Sequence, residues 1–257
     1  MKATEDLTLT EVIGRLPAAR GYAVTLSRRL DGIERPNRGR RLLEIGAAAG
    51  GLTIAFAELG YSSVGLEPNA GALAAARGLA DSLNIPCSVV SGCAEAIPFA
   101  SESFDIVIAS SVLEHVNNLE LCLSEVSRVL APGGVFWFQT ASSMSPFQGE
   151  IGWIPLFGWY PHSLKLRLMK WAVAHCPRLV GHTRTPAIHW FTDQKAKRQL
   201  SEVGFGKIWD RWDIRREDEG GKLYASVLQA IRKVRVLRAL ANVLVSACAY
   251  AAIKEGR

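Results

Sequence analysis

The sequence predicts an α/β fold with a mostly parallel sheet and helices on both faces. Between residues 41 and 140, short apolar runs alternate with amphipathic stretches, which is typical of strands joined by crossover helices. The first apolar run ends in a turn of small residues, 46–51, and passes directly into an amphipathic segment. At 257 residues, of which 49% are hydrophobic, the chain suits one α/β domain with additions.

Six strands are predicted from the apolar runs, over residues 42–45, 63–66, 88–90, 105–109, 135–139 and 207–214. A seventh strand over residues 246–254 is one of two interpretations of the tail. Asn69, either Asn117 or Asn118, and Thr192 are expected to begin helices, because a side-chain oxygen at this position accepts from a free backbone N–H of the first turn. Gly204 would end the helix that follows Thr192.

Two regions do not follow the alternation of strands and helices. Residues 1–40 are expected to form a cap of two helices, 7–20 and 22–30. Residues 141–190 carry an aromatic run and are interpreted as an insertion over the carboxyl ends of the strands, where open α/β sheets hold ligands. Its aromatic residues fit a lining for an apolar ligand and a packed lid equally well; they are Trp153, Phe157 and Trp159.

These observations divide the chain into four parts. The helical cap (1–40) precedes a core (41–140), the insertion (141–190) and a C-terminal part that completes the sheet (191–257). Five scattered cysteines without a C-x-x-C pair indicate a reducing compartment, and the acidic N-terminus lacks an apolar signal core, so a cytoplasmic protein is expected.

The tail, residues 223–253, is basic in its first half and apolar in its second. Its apolar run of fifteen residues, 239–253, is shorter than the roughly 20 that span a bilayer. Two interpretations stay open: a helix followed by a seventh, antiparallel strand, or one amphipathic helix lying on a membrane surface. The net charge of +6 does not by itself select a partner.

Five segments in order resemble the motifs of class I S-adenosylmethionine-dependent methyltransferases, of the type that acts on ubiquinone and menaquinone precursors. They are residues 44–50, 64–69, 92–99, 103–116 and 128–134. The resemblance covers roughly a hundred residues and implies a Rossmann-like, seven-stranded fold with S-adenosylmethionine as the cofactor. Five ordered motifs are far more specific than a single glycine-rich turn.

The resemblance implies a set of cofactor-binding residues. Glu67, twenty-one residues after Gly46, is placed to accept from a ribose diol, which its position after a strand also indicates. Two positions depart from related patterns: Ala48 stands where a dinucleotide fingerprint needs glycine, and Cys93 stands where many relatives carry an aspartate toward adenine. The full set is Glu44, Gly46, Ala48, Gly50, Glu67, Pro68, Cys93, Ala94, Glu95, Ser110 and Ser111.

Three histidines are candidates for a general base, because imidazole titrates near neutral pH. His115 follows the fourth strand, and His182 and His189 lie in the insertion. His175, His182 and His189 recur every seven residues, but prolines and Gly181 interrupt the segment, so no metal site is expected.

The resemblance implies methyl transfer to a small or lipid-like acceptor, at oxygen in preference to other atoms. Two alternatives stay open: a scaffold that binds the cofactor without turnover, and a nicotinamide-dependent oxidoreductase. A nucleic-acid substrate is not expected, because residues 110–113 read Ser-Ser-Val-Leu and not Asn/Asp-Pro-Pro-Tyr, and no basic stripe with aromatics lies near the site. Peripheral membrane contact through residues 223–253 is the remaining hypothesis on partners.

Overall fold

The computed structural model describes residues 8–33, 38–85, 88–152, 154–180 and 185–256. A seven-stranded sheet runs through them in the order β3-β2-β1-β4-β5-β7-β6, with β7 antiparallel to both neighbours. The strands are β1 Arg41–Ile45, β2 Ser62–Glu67, β3 Ser88–Ser91, β4 Phe104–Ser110, β5 Leu130–Ala141, β6 Phe205–Asp210 and β7 Ala247–Lys254. The fold class predicted from the sequence is confirmed.

Nine α-helices accompany the strands within the described residues. They are α1 Leu9–Asp31, α2 Gly51–Glu58, α3 Ala70–Leu83, α4 Leu119–Val129, α5 His162–His175, α6 Asp193–Glu202, α7 Arg211–Ile214, α8 Lys222–Lys233 and α9 Arg235–Val243. Three N-caps are confirmed: Asn69 Oδ1 accepts from Ala72 N–H (2.9 Å), Asn118 Oδ1 from Leu121 N–H (3.0 Å), and the Thr192 hydroxyl from Lys195 N–H (3.2 Å).

Strand alternation divides the core between the two faces of the sheet. On β5, Phe136 and Phe138 pack with α4 and α6, whereas Trp137 packs with α1 and α2 on the other face. All three side chains are buried. Because successive strand residues point to opposite faces, this one apolar strand contributes side chains to the core on both faces of the sheet.

The predicted pair of N-terminal helices is one helix, α1, which contains Pro17. The division into two helices was wrong because the helix continues through residue 21 without a break. Val12, Leu16, Ala23, Leu26 and Leu30 are buried along one stripe of α1. The burial of this stripe outweighs the hydrogen bond that Pro17 cannot donate.

The sixth strand ends four residues earlier than predicted. Asp210 Oδ1 accepts from the backbone N–H groups of Trp212 (2.8 Å) and Asp213 (3.3 Å), and so caps the short helix α7. A carboxylate that satisfies the free donors of a first turn favours helix at this point over further strand.

The tail forms α8, α9 and the strand β7. The interpretation with a seventh strand is confirmed for residues 247–254, which pair with β5 and β6, and a single membrane-lying helix over the whole tail is wrong. No described helix combines the length and the apolar character needed to cross a bilayer.

Candidate functional site

The loop after β1 approaches the segment after β4. Gly46 and Gly50 adopt positive φ values of 73° and 74°, which glycine accepts without steric cost. A Cβ on Gly46 would overlap the side chain of Val112, which follows β4. The N–H groups of Gly46 and Ala47 both donate to the carbonyl of Leu66 at 2.8 and 3.0 Å, which ties the loop to the end of β2.

Glu67 joins this loop to the start of α3. Its side chain is buried, and its two oxygens accept from Ala48 N–H at 2.8 Å and Asn69 N–H at 2.9 Å. Ala48 has a φ of 49°, a left-handed conformation that directs its N–H at this carboxylate. Each carboxylate oxygen has a further lone pair, so Glu67 retains the capacity to accept from a ligand diol. Pro68 lies in the chain between Glu67 and Asn69.

Glu44 lies on β1 beneath the loop and is buried. It accepts a short hydrogen bond from the Thr53 hydroxyl, and burial raises the pKa of its carboxyl to about 8. The carboxyl is therefore mainly protonated at pH 7. The Thr53 hydroxyl thus satisfies one oxygen of Glu44 within the fold, and the role of Glu44 toward a cofactor stays a prediction.

The loop after β3 contains three of the predicted cofactor-binding residues, Cys93, Ala94 and Glu95. Gly92 N–H donates to the Glu67 carbonyl at 3.3 Å, so this loop lies next to Glu67. Ala94 is buried and Cys93 is exposed. Glu95 accepts from Asn117 N–H at 2.8 Å, so at least one of its oxygens faces the residues that precede α4.

Ser110 and Ser111 lie where β4 ends, beside the glycine loop. Ser111 has a φ of 55°, and its N–H donates to the Gln139 carbonyl of β5 at 2.8 Å. The sequence did not indicate Tyr22 of α1 as part of this region. Burial raises the pKa of the Tyr22 phenol, and the nearby side chains of Ser110 and Glu44 also act on this pKa. Only the packing of α1 against the sheet could have indicated it.

A second acidic group lies past β4 and also was not predicted. Glu114 is buried, accepts from the Thr140 hydroxyl at 2.7 Å, and has its carboxyl pKa raised to about 8 by burial and by Glu150. His115 Nε2 lies 3.6 Å from Glu150 Oε2. Ligand atoms of Glu114, His115 and Glu150 lie within 4.8 Å of one another, a donor set that would suit a divalent cation. Glu150 comes from the insertion, and no local sequence signal connects it to His115.

His189 contacts the same segment. Its Nε2 lies 2.9 Å from the Val116 carbonyl, and its backbone N–H donates to the Glu114 carbonyl at 3.1 Å. Because a carbonyl only accepts, Nε2 carries the proton and Nδ1 holds the lone pair in the neutral ring. Burial, followed by the charge of Lys195, lowers the pKa of His189 and favours this neutral form. His182 lies outside the described residues.

The aromatic residues of the insertion have different environments. Phe157 is buried and packs against Trp190, with ring centroids 5.9 Å apart. Trp159 is 56% exposed and donates from Nε1 to the Met144 carbonyl at 2.9 Å. Phe157 is thus part of the core of the insertion, Trp159 is a surface residue, and Trp153 lies outside the described residues.

Known proteins resemble the central part of this chain. Residues 43–138 match the family model described as a methyltransferase domain. A ubiquinone biosynthesis O-methyltransferase of Azorhizobium caulinodans is 34% identical over 106 residues, and one of Rhizobium etli is 31% identical over 129 residues. These matches cover 41% and 47% of this chain and 42% and 52% of the relatives, so the chain spans about half the length of the curated relatives it matches.

Solved structures extend the similarity of the fold. A methyltransferase of Mesorhizobium loti superposes with a TM-score of 0.58 at 17% identity, over 89% of this chain and 96% of that protein. A phosphoethanolamine N-methyltransferase 2 of Haemonchus contortus, solved with S-adenosyl-L-methionine, gives 0.58 at 16% identity, over 97% and 58% of the two chains. The matched family model shows a methyltransferase domain in this chain, with residues 43–138 at its core, and the fold is that of S-adenosylmethionine-dependent methyltransferases.

Proposed function

We propose that this protein transfers a methyl group from S-adenosylmethionine to a small or lipid-like acceptor, at an oxygen atom. The observation that carries the proposal is the geometry of Glu67, which lies buried at the end of β2 and is hydrogen-bonded to Ala48 of the glycine loop. A ribose diol on Glu67 would place the rest of the nucleoside between the loops that follow β1 and β3. The Ala48 methyl disfavours a pyrophosphate at this place and leaves room for a nucleoside without phosphate.

Chemistry in this site would depend mainly on alignment. The sulfonium of S-adenosylmethionine supplies an electrophilic methyl group, so the protein has to hold the acceptor in line and exclude water. Ser110 and Ser111, two of the predicted cofactor-binding residues, lie beside the glycine loop and Gly46. The insertion, residues 141–190, would provide Glu150 and His189 on the acceptor side. Their contacts with the segment after β4 support the interpretation of an insertion over the carboxyl ends of the strands.

His189 is the base that the geometry favours for an acceptor hydroxyl. Its neutral ring holds the Nδ1 lone pair, whereas His115 lies beside the Glu150 carboxylate, which suits an orienting role. An O-methyltransferase role is further supported by the ubiquinone biosynthesis enzymes that match residues of the core. His182 and the four-part division of the chain stay predictions.

Calorimetric titration with S-adenosylhomocysteine tests the proposal, with NADH as the matched nucleotide control. We expect binding of S-adenosylhomocysteine with a Kd in the micromolar range or below, and no heat of binding from NADH. Preference for NADH would overturn the proposal in favour of an oxidoreductase. Tight binding without methyl transfer to any tested acceptor hydroxyl, across catechols and hydroquinones, would favour a cofactor-binding scaffold.

We also propose that helices α8 and α9 bind an anionic membrane surface. Residues 222–243 include five basic residues and no acidic one. Arg232 and Arg238 are ion-paired within the protein, but Lys222, Lys233 and Arg235 are exposed. Exposed apolar side chains accompany them, at 41–79% exposure: Leu223, Val227, Val236, Leu237, Leu240 and Leu244. Charged and apolar groups on adjacent exposed helices are the chemistry of an interfacial anchor.

Flotation with liposomes tests this membrane contact. We expect the protein to float with vesicles that contain phosphatidylserine, less so with neutral vesicles or in high salt, because the basic residues act by charge attraction. Replacing Leu240 and Leu244 with aspartate should reduce the floated fraction severalfold. Leu121→Asp, at an exposed apolar residue of α4, is the matched control. Equal partitioning of all three proteins would contradict the proposal.

A further inference from the structure

Two lysines contact Trp190, one from the insertion and one from α6, the helix that follows the insertion. Lys165 of α5 is only 5% exposed; its Nζ donates to the Gly158 carbonyl at 3.1 Å and lies 4.7 Å from the centroid of the Trp190 ring. Lys195 of α6 donates from Nζ to the Trp190 carbonyl at 3.3 Å. We call Lys165 and Lys195 the lysine pair.

The lysine pair has no anionic partner among the described residues. The groups that Nζ contacts are neutral carbonyls and aromatic rings. Burial lowers the pKa of both lysines, and the charged groups that lower them further are cations, Lys195 acting on Lys165 and Arg198 acting on Lys195. A buried ammonium without a counter-ion is costly, because burial removes its hydration and no opposite charge compensates for the loss.

A buried donor without a partner lies at the same place. Trp190 is 4% exposed, and its indole Nε1 has no hydrogen-bond partner in the described part of the chain. An indole N–H in the interior ordinarily finds an acceptor. One anion in contact with the Nζ atoms of the lysine pair and with Nε1 of Trp190 would compensate both positive charges and accept from the indole N–H.

This cluster lies next to the acceptor side of the proposed site. The backbone of residues 187–191 runs past the ends of β4 and β5, because His189 N–H donates to the Glu114 carbonyl and Ser143 N–H to the Phe191 carbonyl. The glycine loop follows β1, on the other side of β4. The segment after β4, which carries His115, therefore lies between the glycine loop and residues 187–191.

We propose that Lys165, Lys195 and the indole N–H of Trp190 bind a carboxylate or phosphate group of the methyl acceptor. The inference rests on the proposed function, and it narrows the substrate class from any small or lipid-like acceptor to one that carries an anionic group. Lysine ammonium groups and an indole donor hold such an oxyanion by charge-assisted hydrogen bonds.

Indole N–H resonances of tryptophan-labelled protein saturated with S-adenosylhomocysteine test the site, with Trp190→Phe to assign the Trp190 signal. We expect benzoate or phenyl phosphate to shift this signal in a saturable way, and benzyl alcohol, a neutral analogue, to leave it unchanged. A shift by phenyl phosphate alone assigns a phosphate-bearing acceptor, and a shift by benzoate alone assigns a carboxylate. No shift with either anion, or an equal shift with benzyl alcohol, would overturn the inference.

Lys165→Met separates binding from folding. Methionine keeps the apolar contacts and removes the unpaired charge, so we expect the melting temperature to rise while the affinity for the anion falls about tenfold or more. Lys170→Met, at an exposed lysine of the same helix, should change neither. Unchanged anion affinity in Lys165→Met would contradict the assignment.

The cofactor-free protein distinguishes the remaining outcomes. An anion signal that disappears when S-adenosylhomocysteine is added would assign the site to the carboxylate of the cofactor and overturn the acceptor assignment. Anion binding in a protein that does not bind S-adenosylhomocysteine would defeat the proposed methyl transfer and, with it, the identification of the anion as part of a methyl acceptor. Binding of S-adenosylhomocysteine without any anion signal would defeat only the inference about the acceptor.

Discussion

Glu67→Ala is expected to weaken S-adenosylhomocysteine binding by about two orders of magnitude or more. In the proposed role of Glu67, the substitution removes a charged acceptor for two ribose hydroxyls, with each hydrogen bond worth about 1.5–3 kcal/mol. It also leaves the N–H groups of Ala48 and Asn69 without their acceptor, which loosens the glycine loop and the start of α3. Calorimetry on the variant measures the affinity, and a thermal melt measures the accompanying loss of stability.

Two variants show whether the effect is specific to this carboxylate. Glu67→Gln retains one acceptor oxygen and should bind more tightly than Glu67→Ala but less tightly than the natural protein. Glu58→Ala removes a carboxylate at the end of α2 that pairs with Arg20 at the surface, and should leave binding unchanged. Full affinity in Glu67→Ala would show that the ribose is not bound here.

Stability is expected to fall as the pH rises from 5 to 9, because two buried carboxyls must ionise. Burial raises the pKa of Glu44 and Glu114 from 4.5 to about 8. Between these values the folded chain keeps protons that the unfolded chain has lost. The stabilisation that comes from these retained protons is therefore fully present below pH 4.5 and is lost as the pH rises through 8. The free energy of unfolding then falls by an amount on the order of a few kcal/mol for each group.

Urea denaturation at pH 5.5, 7 and 8.5 measures this dependence. The double variant Glu44→Gln and Glu114→Gln keeps neutral side chains of the same size at all three pH values, so its stability should vary much less. Glu202→Gln, at an exposed carboxylate of α6, is the matched control and should follow the natural protein. An equal loss of stability with pH in the double variant would show that other groups are responsible.

The sheet was predictable from the sequence because its signals are local. Each strand is a short apolar run, and the helix starts at Asn69, Asn118 and Thr192 are set by the residue itself. The errors have one cause, a local signal overruled by another interaction. Gly21, where a break between two helices was expected, lies within one helix whose stripe is buried, and Asp210 ends a strand by capping.

The site was predictable only where the motifs lie along one strand–loop–helix unit. Glu67 and Gly46 belong to such units, so their places follow from the order of the strands. Glu150 and Tyr22 reach the site from the insertion and α1, and nothing in their neighbours along the chain indicates a partner so far away. Contacts of this kind depend on how the additions pack on the core.

The place of β7 between β5 and β6 has a consequence for how the chain assembles. One edge of β5 pairs with β7, whose residues lie more than a hundred positions later in the chain. β6 joins the sheet only through its pairing with β7. Contacts so distant in sequence form slowly, because the closure of a long loop precedes them.

Until β7 docks, a twelve-residue strand that is mostly buried in the finished sheet presents unpaired backbone groups to solvent. An open, apolar edge of this kind pairs readily with other chains. Refolding yield should therefore be limited by the docking of residues 247–254, and intermolecular pairing along β5 should be the main competitor of correct folding.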